Sequence, residues 1–193
     1  MAVVVVGGSG KDVGKTALVC AVISALREFE WTAVKITGHD YGSLEDAGSR
    51  LDLVIQEEPR AGEVTDTERY LAAGARRALL VTRVASDMPM NELRHALGSD
   101  RNVIFESNRI VDAVEPDVCL ALVGGQERKA SFEQLLRMAD AVVVVDGARL
   151  DGLPATVPRF AVESVDRLSA DLAGWLRHRL SNAAAQPLRG QAG

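Results

Sequence analysis

The feature that most constrains this chain lies at its start, where the apolar run Val3-Val4-Val5-Val6 ends in Gly7 and Gly8 and leads quickly to Gly14-Lys15-Thr16. Valine favours extended backbone, and a run without polar residues reads as a strand covered on both faces. After Thr16, Leu18, Val22, Ile23 and Leu26 fall on one face of a helix expected over 15–29. Strand, glycine-rich loop and helix in direct succession form a cradle for an anion. Glycines let consecutive backbone N–H groups turn inward, and the helix start adds its positive end. Lysine followed by threonine suits a nucleoside triphosphate: the ammonium reaches the β- and γ-phosphates and the hydroxyl ligates Mg²⁺. The strict pattern G-x-x-x-x-G-K-[ST] fails only at its first glycine, where Ser9 stands between Gly8 and Gly10. The nucleotide contacts expected from this reading are Ser9, Gly10, Lys11, Asp12, Val13 and Gly14 in the loop, with Lys15, Thr16 and Ala17 opening the helix.

Further apolar, β-branched runs at 33–36, 78–81, 103–105, 118–123 and 141–145 alternate with helical patterns at 66–73, 91–97, 131–139 and 165–180. Such alternation predicts an α/β fold, doubly wound, with a mostly parallel sheet and helices on both faces. One domain is expected over 1–180, with a frayed tail over 181–193. The polar, glycine-containing stretch 38–65 breaks the rhythm as a functional or mobile loop, apart from 51–55, which could be a short extra strand. At 193 residues and 47% apolar the chain can bury a real core. A net charge of −5 with interspersed signs gives no general attraction to nucleic acid or anionic membrane. No apolar stretch has the length of a membrane span, the N-terminus lacks a signal-peptide pattern, and a cytoplasmic protein is expected. Cys20 and Cys119 sit in apolar runs and read as buried, reduced thiols; no Cys/His group has zinc spacing.

Parallel sheets present ligand-contacting residues at the C-terminal ends of their strands. Asp40, Glu106 and Asp146 follow apolar runs, and Asp66 opens a helix. Phosphoryl chemistry needs an acid to orient Mg²⁺ near the loop hydroxyl, and Glu106 fits best. Asp146-Gly147 reads as a turn dipeptide, and Asp66 or Thr65 caps the helix that follows. His39 reads as a solvated loop residue, His95 and His178 as helix-surface residues.

The loop Gly8–Thr16 resembles that of dethiobiotin synthetase and its relatives. The remainder of residues 1–150 resembles the MobB-type adaptor of molybdenum cofactor biosynthesis, a GTP-binding P-loop NTPase. The similar segments are Val34-Lys35-Ile36-Thr37-Gly38-His39-Asp40, Asp66-Thr67 with Ala73-Gly74-Ala75, and Phe105-Glu106-Ser107. The resemblance implies GTP or ATP as ligand with Mg²⁺, and Glu106 and Asp40 as acids on the metal side with Thr16. It places Lys35 and Thr37 near the γ-phosphate and Asp66 near the insertion. Lys15, Lys11 and Asp40 become the catalytic set, with Lys11 adding charge near the phosphates, across a homodimer interface in some members. The sequence departs from the family in keeping a single histidine after the second strand and in continuing as Ser107-Asn108-Arg109 after the acid. No N-K-x-D guanine signature is present. The function implied is a slow NTPase serving a partner enzyme of cofactor maturation. The alternatives are a small-molecule ligase or kinase, with Lys35, Thr37 and Arg109 as polar substrate candidates, and a nucleotide-gated module whose insertion docks a partner.

Overall fold

The computed structural model describes residues 2–38, 54–83, 90–125, 130–145, 148 and 156–185. Among the described residues eight strands form one sheet: β1 (Ala2–Gly8), β2 (Thr32–Gly38), β3 (Val54–Glu57), β4 (Arg77–Arg83), β5 (Asn102–Glu106), β6 (Val118–Val123), β7 (Ala141–Val145) and β8 (Arg159–Val162). Their order is β3-β4-β2-β5-β1-β6-β7-β8, parallel throughout except for the antiparallel edge pair β3–β4. Among the described residues the helices are α1 (Lys15–Ala25), α2 (Asp66–Ala73), α3 (Met90–Leu97), α4 (Ala130–Arg137) and α5 (Ala170–Ala185).

The valines of β1 explain its central place. Val4 and Val6 face one apolar layer with Ile104, Leu120, residues of α1, Tyr70 of α2 and Leu172, Leu176 and Leu180 of α5. Val5 faces the other, with Phe105, Cys119, Leu93 of α3 and Phe132 and Leu135 of α4. Side chains alternate across a strand, so a central strand needs apolar residues at every position. The mostly parallel sheet with helices on both faces is therefore as the sequence predicts.

Several elements are to be set against expectation. The first helix stops at Ala25, and a 3-10 turn over Arg27–Phe29 follows. Buried Trp31 donates its indole N–H to the Leu26 carbonyl at 2.9 Å, so a side chain takes over where the helical hydrogen bonds end. The helix is also less one-sided than its pattern suggests: Val19 and Ala21 are buried alongside Leu18, Val22 and Ile23. The extra strand expected over 51–55 corresponds to β3, described from Val54 to Glu57, with 51–53 outside the described residues. Its antiparallel pairing at the sheet edge suits its largely exposed residues.

The last helix begins at Ala170, not at 165, and reaches Ala185. Ser164 accepts from the backbone N–H of Asp166 at 3.2 Å, a local turn that competes with helix. Ser169 then accepts from Leu172 N–H at 3.2 Å, as a capping serine does. Strand β8 has no counterpart in the sequence reading; it is a short edge strand whose residues alternate between exposed and half-buried.

Both cysteines are free, Cys20 half-buried in α1 and Cys119 buried in β6. Burial pushes their thiols up to about 11 and about 12, so neither is a thiolate near neutral pH. Among the described residues no helix is long and apolar enough to cross a membrane.

Candidate functional site

The glycine-rich loop between β1 and α1 is tied down at its root from both sides. On the β5 side, Asn108 accepts from Gly8 N–H at 2.8 Å and donates to the Gly8 carbonyl at 2.9 Å. On the β6 side, Ser9 Oγ donates to the Gly124 carbonyl at 2.7 Å and accepts from Gly124 N–H at 3.1 Å. This explains serine at the position where the strict motif has glycine: its hydroxyl is turned into the protein, 1% exposed, and anchors the loop. Glycine is sterically required at Gly8 and Gly14 among others. A Cβ on Gly8 would lie 2.7 Å from Val13 Cγ2 and 2.8 Å from Lys15 Cγ. Gly14 has φ of +96°, and a Cβ there would also lie 2.6 Å from Val165 Cγ2.

Beyond Gly14 the two site helices start differently. Helix α2 carries a full capping box, Thr65 accepting from Glu68 N–H at 3.1 Å and Glu68 accepting in return from Thr65 N–H at 3.1 Å. Helix α1 has no side-chain cap and no acid in its first turn. With no acid at that end, an anion is what the helix dipole favours there. Lys15 Nζ donates to the Gly10 carbonyl at 2.8 Å, curled over the loop it belongs to.

Strand register assembles the acids. Glu106 ends β5 and is paired with Val6 on one side and Lys35 of β2 on the other. Parallel partners in register project to the same face, here the face covered by α1 and α2. Thr16 Oγ1 donates to Glu106 Oε2 at 2.8 Å, and Lys35 Nζ donates to Oε1 at 2.9 Å. From α2, Asp66 and Tyr70 stand four residues apart on one side of the helix. Asp66 accepts from Lys35, and the fully buried Tyr70 hydroxyl donates to Glu106 Oε2. Burial works to lower Lys35, but the charge of Glu106 and the bonds to both carboxylates outweigh it and hold the ammonium above its ordinary range. Burial likewise works to raise Asp66, and the hydrogen bond and charge of Lys35 outweigh it and hold the carboxyl low. Burial and the Glu106 charge push the Tyr70 phenol well up, which keeps it a donor.

The cluster opens on a cleft of about 750 Å³ lined by Lys11, Lys15, Thr16, Asp66, Glu106 and Arg109, among others. Asp12, Gly14 and Ala17 also line it. Among the expected nucleotide contacts, the Val13 side chain instead packs toward Gly8 and Gly124. Thr37 is outside this cleft; it lines an adjoining cavity of about 300 Å³ that shares Lys35 and Asp66 with it. Asp40, His39 and Asp146 lie outside the described residues. Exposed His95 and His178 stand apart on α3 and α5.

Among the described residues no group of three or more His, Cys, Asp or Glu could hold a metal. The donors at hand are hydroxyl and carboxylate oxygens: Thr16, Glu106 and Asp66. That set fits Mg²⁺, which takes one or two carboxylates and completes its shell with phosphate and water.

The sequence reading did not single out Tyr70, and it noted Asn108 only as a departure. It gave Asp66 a capping role and a place near the insertion. One signal was available for Asp66: Thr65-x-x-Glu68 is a capping box, which frees the next residue, Asp66, for other work.

No protein-family model matches the chain, and the search of curated proteins gives no match. Solved structures do match. A crystal structure of LpxK from Aquifex aeolicus in complex with ATP superposes at a TM-score of 0.52, with 16% identity over 95% of this chain and 68% of that one. A MobB protein homologue from Bacillus stearothermophilus superposes at 0.50, with 19% identity over 94% of this chain and 99% of that one. The chain shares its α/β fold with both. HypB from Helicobacter pylori, in complex with nickel, follows at 0.49 and 12% identity over 97% and 91% of the two chains.

Proposed function

We propose that the chain binds a nucleoside triphosphate, GTP or ATP, together with Mg²⁺, and turns it over slowly as an accessory factor. The setting we infer is cytoplasmic maturation of molybdenum cofactor or a related metalloenzyme, with a partner enzyme as the beneficiary. The observation that carries the reading is the 2.8 Å junction of Thr16 and Glu106 in the first turn of a helix that lacks a cap. Similarity to a MobB homologue along nearly the whole of both chains supports the setting.

In this mechanism the loop N–H groups and Lys15 hold the β- and γ-phosphates, and exposed Lys11 adds charge at the cleft. Thr16, Glu106 and Asp66, with Asp40 as a further acid, would hold Mg²⁺, which when bound neutralises charge on the phosphates. Water attacks the γ-phosphorus and the nucleoside diphosphate leaves. Slow turnover suits the described cleft: Glu106 already accepts from Thr16, Tyr70 and Lys35, and Asp66 from Lys35. Neither acid is a free base for the attacking water. A homodimer in which Lys11 reaches a neighbouring copy belongs to the same reading.

A second reading is an ATP-dependent kinase or ligase. The cleft favours it by extending past the phosphate loop to Arg69, Arg109 and Ser131, more polar surface than a triphosphate alone requires. LpxK, solved in complex with ATP, has the same fold. Incubation with γ-labelled GTP or ATP, Mg²⁺ and a small-molecule extract separates the two. Label recovered as inorganic phosphate alone supports the NTPase; label in an organic product supports the transferase. Tight binding without turnover would point instead to a nucleotide-gated module docking a partner through residues 38–65.

A further inference from the structure

Lys35 stands at the point where the metal oxygens converge. Its Nζ lies 2.9 Å from Glu106 Oε1 and 3.4 Å from Thr16 Oγ1, and it donates to Asp66 Oδ2. These three are among the residues that, on the reading proposed above, receive Mg²⁺. Two cations cannot share them: at contact distance their repulsion is large in a partly buried site, where water screens little. The ammonium also has a structural duty. Glu106 is 4% exposed, and without a cation beside it and Asp66 the two carboxylates would repel each other in a poorly solvated place.

The geometry provides Lys35 with somewhere to go. It lines both the 750 Å³ cleft and the adjoining 300 Å³ cavity, so its long side chain can leave the acids by changing rotamer, without movement of β2. Glu106 keeps its position meanwhile, because Thr16 and Tyr70 both hold Oε2 and leave Oε1 to the cation. We propose that Lys35 is a tethered counter-ion seated in the metal position, and that a divalent cation enters by displacing it in company with the nucleotide phosphates. The phosphates tip the exchange, since they supply further oxygens to the metal and an anionic partner to the released ammonium. The protein without nucleotide therefore binds the metal poorly. This inference rests on the reading of Thr16, Glu106 and Asp66 as the metal oxygens.

The test uses Mn²⁺ as the probe, with free Mn²⁺ counted by electron paramagnetic resonance on the full chain. Without nucleotide, Lys35→Met is expected to bind Mn²⁺ at least about tenfold more tightly than the parent, and Lys35→Arg no more tightly than the parent. A non-hydrolysable triphosphate is expected to narrow the gap between parent and Lys35→Met. Equal Mn²⁺ affinity of the two without nucleotide overturns the inference. If Lys35→Met does not fold, Lys35→Gln carries the same expectation, and Mn²⁺ alone should raise its melting temperature more than the parent's; an equal rise overturns the inference. Adding Glu106→Gln to Lys35→Met separates the two levels. If the tight Mn²⁺ binding survives that change, the assignment of the metal oxygens fails, and the inference falls with it. If it is lost while the parent still binds Mn²⁺ poorly alone, both stand.

Discussion

Two buried carboxylates, Glu106 and Asp100, occupy opposite ends of the same sheet, and each side chain is 4% exposed. At the N-terminal end of the parallel strands, Asp100 accepts from Arg76, from Arg77 Nη1 at 2.6 Å and from Thr32 Oγ1 at 2.8 Å. Arg77 also forks onto Glu57 of β3 with bonds of 2.9 and 2.7 Å. Two guanidiniums face two carboxylates there, and fixed, always-charged donors make a brace. At the C-terminal end Glu106 is held by a lysine, a threonine and a tyrosine, and it opens on a cleft. Here one ammonium faces two carboxylates, and its donor can swing away. The two carboxylates, Glu106 and Asp100, are equally buried. What separates a brace from a site is whether the partners can be exchanged for something else.

The largest effect that should sharpen this contrast is in binding. Lys15→Ala is expected to weaken triphosphate binding by about 100-fold, or about 2.7 kcal/mol, while thermal unfolding stays near that of the parent. Titration of labelled nucleotide checks it, and affinity equal to the parent's would end every nucleotide-based reading of this chain. Asp100→Ala should do the reverse. It takes a partner from Arg76 and Thr32, while Arg77 keeps Glu57, and should cost about 1–3 kcal/mol in denaturant unfolding, with nucleotide affinity unchanged. Were Asp100→Ala to weaken binding as much as it weakens the fold, the two ends would not be independent.

Tyr70→Phe sits between these cases. Loss of one buried donor should cost about 1 kcal/mol of stability, and with Glu106 less firmly held, the Mg²⁺ concentration needed for half-maximal nucleotide binding should rise about threefold. A change in stability alone would make Tyr70 a packing residue.

The smallest effect is in pH. Asp66 is held below its ordinary range, so its share of stability is present above about 4, the unfolded value, and is lost as pH falls through the lower folded value. Lys35 is held above its ordinary range, so its share is complete below about 10.4 and is lost as pH rises through the higher folded value. The ion pair should therefore give a flat contribution between those limits. Urea unfolding of the parent against Lys35→Met across pH 3 to 11 measures it, and a difference that changes steeply near pH 7 would contradict the pairing.

Much of the architecture was legible because β1 and β6 carry no polar side chain at any position, a pattern that fits strands covered on both faces. Lys15, Thr16 and Glu106 were legible because a loop, a helix start and a strand end are local patterns. The rest of the site was not local. Tyr70 looks like any apolar residue of a short helix until the register of β2 with β5 brings Glu106 to it. Asn108 lies 100 residues from the glycine it clamps. β8 escaped notice because an edge strand of four residues carries little periodicity, and α5 started late because serine turns outcompeted its first predicted turns.

The clamps at the loop's root have one more consequence. Gly8 and Ser9 are pinned to the chain beyond β5 and β6 by four hydrogen bonds, at 2.8, 2.9, 2.7 and 3.1 Å. A segment that stiff has already lost its backbone freedom during folding, so little ordering entropy remains to be charged against ligand capture. The phosphate cradle is in this sense prepaid by the sheet, and loosening either clamp should show itself first as faster nucleotide release.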